Sequence, residues 1–174
     1  ADALNAAAAD YTIKGFFGTK TASVDAGADA RDVAAAFNLV SSTTGVKATA
    51  ISKARLATTF GGSATSATYT FTLQGKSSTA STVTATITSV TDLTALKDAI
   101  NSVSGSTGIV ATLTSDKAGI NITNDEGYDI IVGDLDSGGV DADFTVDAME
   151  RDGTLAAGAI TLDGDAANAD STAV

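Results

Sequence analysis

The chain has 174 residues, a net charge of −11, and no Cys, His, Trp or Pro. That length fits one domain, or two small ones sharing a core, and the missing residue types exclude disulfides and any Ser–His or Cys–His catalytic arrangement. The acidic balance, with no basic patch and only three Tyr and six Phe, argues against a nucleic-acid partner and an anionic membrane surface.

Residues 1–9 are Ala-rich, with only Leu4 as a sizeable apolar side chain. Residues 1–10 lack the basic start and apolar stretch of a signal peptide. No run of about 20 apolar residues is present to span a membrane. Because the chain starts at Ala1 without Met, it is expected to be a piece of something longer. Tyr11, Ile13, Phe16 and Phe17 read as a first strand, and 18–29 as loop. Asp29 is a plausible N-cap for a helix over 30–40, where Val33, Phe37 and Val40 fall on one face. The stretch 41–45 breaks that helix. Strand-like sequence then runs over 46–60, with an expected interruption near Lys53 and Ala54.

The strongest β pattern follows. Tyr69, Phe71 and Leu73 alternate with Thr70, Thr72 and Gln74, and Val83, Ala85 and Ile87 alternate with Thr84, Thr86 and Thr88. Period two on both sides of a Gly/Ser turn is a hairpin with one buried face and one threonine face. Thr91 or Asp92 caps a second helix whose Leu93, Leu96, Ile100 and Val103 share a face, and Gly105 and Gly108 end it. Strands are expected at 109–114, 119–123 and 128–132, with a turn at 124–127. Val140, Phe144 and Val146 alternate as an edge strand, and Ala159, Ile160 and Leu162 form a further short one. From Asp165 on, the apolar content is too low to pack.

The core is expected to be thin, since Leu, Ile, Val and Phe number only 38. Charge is uneven: residues 1–124 carry a net +1 and residues 125–174 a net −12.

A segment occurs twice, 63 residues apart: residues 36–49, from Ala36-Phe37-Asn38-Leu39-Val40, and residues 99–112, from Ala99-Ile100-Asn101-Ser102-Val103. Each copy reads as a helix end, a Ser/Thr/Gly turn and a strand start. The pattern predicts an α+β fold, mostly antiparallel β-hairpins with two short helices, built from two similar helix-plus-strands modules. Residues 1–29 form an opening segment with the first strand. The first module with its hairpin covers 30–90, the second covers 91–150, and 151–174 is an acidic polar exit segment.

The second copy resembles the flagellin and hook-associated IN motif, through Ile100-Asn101 and the following Ser102-Val103-Ser104-Gly105-Ser106-Thr107-Gly108-Ile109. Ala118-Gly119-Ile120-Asn121-Ile122-Thr123-Asn124 continues the likeness. The first copy departs by carrying Phe37 before Asn38 and Ser42 in place of the glycine. The apolar anchors Phe37, Val40, Ile100 and Val103 would pack on a sheet. Gly45 and Gly108 would supply backbone freedom where helix becomes strand. Asn38 and Asn101 are expected to hydrogen-bond the backbone of the turn rather than to bind a ligand.

The resemblance implies a structural protein: the surface-exposed outer domain of a flagellin-like subunit of the extracellular bacterial flagellar filament. Its role would lie in motility and surface properties rather than catalysis. Partners would be other copies of the full-length subunit, through regions absent here, with the fragment itself monomeric. No cofactor, nucleic acid or membrane is implied. The alternatives are a domain of a flagellar cap or hook-associated protein, or a cell-surface carbohydrate-binding adhesin module.

Paired carboxylates are the remaining chemical candidates. Asp134, Asp136, Asp141 and Asp143 could converge on one calcium ion, although positions 5 and 12 of an EF-hand loop are here Gly138 and Thr145. A solvated acidic loop is the plainer reading. Asn121-Ile122-Thr123 matches the N-glycosylation pattern within an expected strand, and the 43 Ser plus Thr offer hydroxyls for other modification.

Overall fold

Alternation sets the strands and glycine ends the helices. A computed structural model describes residues 7–61 and 65–164, with the backbone of 172–173. The expectations placed on 1–6 and on most of the tail after Asp165 lie outside the described residues.

In chain order the elements are β1 (Ala9–Lys14), β2 (Thr19–Val24), α1 (Ala30–Leu39), α2 (Ser41–Thr44), β3 (Ser52–Phe60), β4 (Ala67–Gln74), β5 (Ser81–Ile87), α3 (Thr94–Ser102), α4 (Ser104–Thr107), β6 (Ile109–Leu113), β7 (Gly119–Asn124), β8 (Ile131–Asp136), β9 (Ala142–Ala148), β10 (Ile160–Leu162) and β11 (Thr172–Ala173). The fold is α+β and mostly β, with all strand pairs antiparallel. One sheet has the order β10-β9-β3-β7-β6, a second β11-β8-β4-β5, and β1-β2 stands as a hairpin of its own.

The large core lies between the five- and four-stranded sheets. Tyr69 and Phe71 from β4 meet Phe144 from β9, with ring centroids at 4.6 Å and 5.2 Å. Leu56, Ile109, Ile120, Ile122, Val83, Ile87 and Val132 fill the space around them, fully or nearly fully buried. Helix α3 closes the sandwich by setting Leu96 and Ile100 against β5 and β6. Alternate residues of β4 and β5 turn outward, where Thr68 bonds Thr86 at 2.9 Å and Thr70 bonds Thr84 at 3.2 Å. The threonine face is therefore a ladder of cross-strand hydroxyl pairs.

The two copies join through β3 and β7, in register from Ser52↔Asn124 to Ala57↔Gly119. Yet they share the core unequally. Nothing before Ala54 belongs to the main core cluster. The first copy keeps a small cluster of its own, with Ala22, Val24, Ala28 and Thr44 buried beneath α1 and α2.

Several expectations change. The stretch read as loop over 18–29 contains β2. Lys20, Ala22 and Val24 alternate with Thr21 and Ser23, but with side chains too small to signal a strand before its partner is known. Phe16 and Phe17 belong to the hairpin turn, not to the strand. Residues 46–51 are not a strand, because the chain runs from them straight into β3 and no ladder partner among the described residues reaches them. The second copy has β7 folded back onto β6. The break therefore falls before Ser52 rather than at Lys53 and Ala54. Strand β9 is not an edge strand: β3 pairs on one side of it and β10 on the other. Within the tail, Thr172 and Ala173 pair with Val132 and Ile131 of β8.

Candidate functional site

In the repeated segment, side chains of both copies make the same polar structure. Helix α1 starts at Asp29, whose carboxylate accepts from the Asp32 amide at 2.7 Å. It ends at Val40, and α3 ends at Val103. These two residues hold nearly the same backbone angles, φ −101° and ψ 6° against φ −103° and ψ 7°. A single further helical turn follows each. The Thr44 and Thr107 hydroxyls donate back to the Val40 and Val103 carbonyls, both at 3.0 Å. The same hydroxyls accept from the Val46 and Ile109 amides, both at 3.2 Å. Gly45 and Gly108 then adopt φ of +77° and +69°, the left-handed region that a Cβ disfavours, and the helix stops.

Asn38 and Asn101 reach past this turn. Each side-chain amide donates to the carbonyl of the residue ten positions on, Ala48 or Ala111, at 2.9 Å in both copies. Each side-chain oxygen accepts the amide of that same residue, at 2.9 Å and 2.8 Å. One asparagine thus satisfies a donor and an acceptor of the outgoing chain, as a paired strand would. Ser41 and Ser104 add hydroxyl bonds to the Asn38 and Asn101 carbonyls, both at 2.7 Å.

The apolar anchors take related places with unequal burial. Ile100 and Phe37 occupy the same step of their helices. Ile100 is buried, while Phe37 is half-buried with its ring edge-on to Tyr11 at 5.7 Å. Val40 and Val103 are both half-buried.

Sequence reasoning gave no role to Thr44 and Thr107, both fully buried, or to Asn124. The Asn124 side chain accepts from the Glu126 and Tyr128 amides at 3.0 Å and 3.3 Å and donates to the Thr107 carbonyl at 3.5 Å. The signal was present in part, since the two threonines are themselves repeated at the 63-residue interval.

The acidic candidates do not come together. Asp134 and Asp136 lie on β8 and Asp143 on β9, strands of different sheets, with Asp141 just before β9. Asp134 has φ +50° at a register shift against β4 and accepts from the Thr72 hydroxyl at 3.1 Å. The Asp136 carboxylate accepts the Gly138 amide at 2.7 Å, and that of Asp143 accepts the Gly164 amide at 3.3 Å. No group of three or more Asp, Glu, His or Cys among the described residues is placed to hold a metal ion. Asp134, Asp136 and Asp143 each accept from an amide or a hydroxyl instead. Asn121 sits within β7, where its side chain accepts from the Arg55 Nε at 3.3 Å.

The perturbed titrating groups are likewise local. Hydrogen bonds from Thr94 to Asp92 and from Thr154 to Asp152 hold both carboxyls below the usual range. The Glu126 carboxylate, 2.7 Å from Lys76 Nζ, raises that ammonium's pKa. Burial pushes the Tyr69 phenol up.

The flagellin hook IN motif model matches this chain twice, over residues 11–59 and 70–126, more than half its length. The chain belongs to the flagellin hook IN motif family. Each match contains a hairpin, a helix, the braced turn after it and the chain leaving that turn, and the second adds the β6–β7 hairpin. Flagellin-type proteins are structural rather than catalytic, and their subunits polymerise into a flagellum-associated extracellular filament. No curated protein matches the chain. Among the described residues, no helix is long and apolar enough to cross a membrane.

Proposed function

We propose that this chain is the surface-exposed outer domain of a flagellin-like filament subunit, contributing to motility and surface properties rather than catalysis. The observation that carries the reading is the doubled IN module. Its repeated polar groups are consumed in bracing its own turn, which leaves the outward faces as its means of action. On the larger sandwich those faces carry hydroxyls and carboxylates. Cross-strand threonine pairs line the β4–β5 hairpin, and no Asp or Glu among residues 125–164 is buried. Contacts that polymerise the subunit would lie in segments other than this chain, whose longest described helix, α1, has 10 residues.

Immunoelectron microscopy with antibodies raised against this chain tests the reading. Label along the whole length of intact filaments is expected. Label confined to the filament tip would favour the cap reading, and flagella left bare would overturn both. Assembly gives a second measure: filaments formed by the isolated chain would overturn the separation of display from polymerisation.

A further inference from the structure

The first copy is an unfinished version of the second, and the difference falls on one edge. Val24 and Ile87 are 63 residues apart and pair with Ala9 and Ala67. Residues Ala9, Tyr11, Thr12 and Lys14 of β1 therefore correspond to Ala67, Tyr69, Thr70 and Thr72 of β4. The outer edge of β4 is covered by β8, which pairs with Thr70 and Thr72. The outer edge of β1 meets no strand among the described residues. Tyr69, which also packs on Phe144 of the facing sheet, is fully buried, whereas Tyr11 is 40 % exposed. A two-stranded hairpin is marginal in water, and three or more strands over an apolar face are the stable arrangement.

The phase of the free edge follows from the hairpin turn. The Gly15 amide donates to the Gly18 carbonyl at 2.8 Å, and the register pairs Ile13 with Lys20 and Tyr11 with Ala22. Hydrogen-bonded positions alternate along an antiparallel pair. Ala9, Tyr11 and Ile13 thus bond to β2, and Asp10, Thr12 and Lys14 turn their N–H and C=O groups outward. Those three residues are also exposed.

We propose that this edge pairs with β1 of a second copy of the chain, antiparallel about a two-fold axis through Thr12. The sequence around that axis complements itself. Asp10 of one copy falls opposite Lys14 of the other, and Tyr11 falls opposite Ile13. Outward-facing backbone meets outward-facing backbone at all three polar positions. Opposite charges directly across strands are favourable and like charges are not, so the ion pairs select this register. The product is a four-stranded sheet, β2-β1-β1-β2, with an α1 helix on each half. An isologous contact closes at two copies and cannot grow into a filament. The monomer expected from the sequence gives way to a closed pair at high concentration. The inference stands whether or not the chain is displayed on a filament.

Amide hydrogen exchange by NMR over a range of protein concentrations, with sedimentation in parallel, tests it. The Asp10, Thr12 and Lys14 amides should become protected as concentration rises, while Tyr11 and Ile13 are protected throughout. Asp10→Lys or Lys14→Asp alone should abolish association. A mixture of these two variants, or the double variant, should restore it. Thr12→Pro removes only an outward-facing amide, as edge strands tolerate, and should give a folded monomer. The proposal is overturned if those three amides exchange at one rate at all concentrations. It is equally overturned if the mixed variants associate no better than each alone, or if association is open-ended.

Discussion

Asn101 and Ala111 hold one another through two hydrogen bonds, Nδ2 to the carbonyl at 2.9 Å and the amide to Oδ1 at 2.8 Å. Ala111 is buried, so removing the asparagine strands two backbone groups away from water. A buried orphan group costs about 1–3 kcal/mol. Asn101→Ala should therefore lower stability by about 2–3 kcal/mol, read as a drop in the urea midpoint. Asn38 makes the same pair of bonds with Ala48 in an exposed setting, where water can replace it. Asn38→Ala should cost about 1 kcal/mol or less. Equal losses would contradict the difference in burial.

Much of this was legible in the sequence. The 63-residue interval placed Asn38 and Asn101 on equivalent helix ends, and period two placed Tyr69, Phe71, Val83 and Ile87 inward. The sharing of the core was not legible. Phe37 and Ile100 look alike as helix anchors, but only Ile100 has β6 and the main sheets to pack on. Strand β2 was missed because Ala22 and Val24 are small, and β9 was misplaced because its partner β3 is distant in sequence. The acidic residues of β8 and β9 looked like one cluster because sequence proximity hides a change of sheet.

Unequal sharing of the core has a measurable consequence. Phe144 is fully buried between Tyr69 and Phe71, and Phe144→Ala should cost about 3–5 kcal/mol. Phe37→Ala removes a half-buried ring and should cost about 1 kcal/mol. Native-state hydrogen exchange in that variant should show β1, β2 and α1 opening before the sandwich does. Simultaneous opening of all three sheets would instead indicate one cooperative unit.

A close approach missed in the sequence occurs at Gly75. A Cβ built there would lie 2.4 Å from the Thr107 carbonyl oxygen, which accepts the Lys76 amide at 2.8 Å. Backbone cannot yield as a flexible side chain would, so Gly75→Ala should pull the β4–β5 turn off the end of α4. The cost should be about 1–3 kcal/mol by chemical denaturation. Gly105 is the control. It lies within α4 with nothing within 4 Å of its built Cβ, and Ala is the better helix former. Gly105→Ala should be neutral or stabilising by less than about 1 kcal/mol.

Asp129 gives the pH dependence a sign. Partial burial, then the Asp29 and Asp32 carboxylates, raise its pKa in the folded chain. A carboxyl raised above its unfolded value binds its proton more tightly in the native state. Its charged form therefore weighs against folding at neutral pH, and that burden is relieved as pH falls through the folded pKa. Asp129→Asn keeps the shape without the charge. The variant should show the higher urea midpoint at about pH 7, and the gap should close at about pH 3, where the carboxyl is protonated in both states. A gap of constant size across that range would mean that the side-chain amide acts through a new hydrogen bond and that the charge of Asp129 is not what opposes folding.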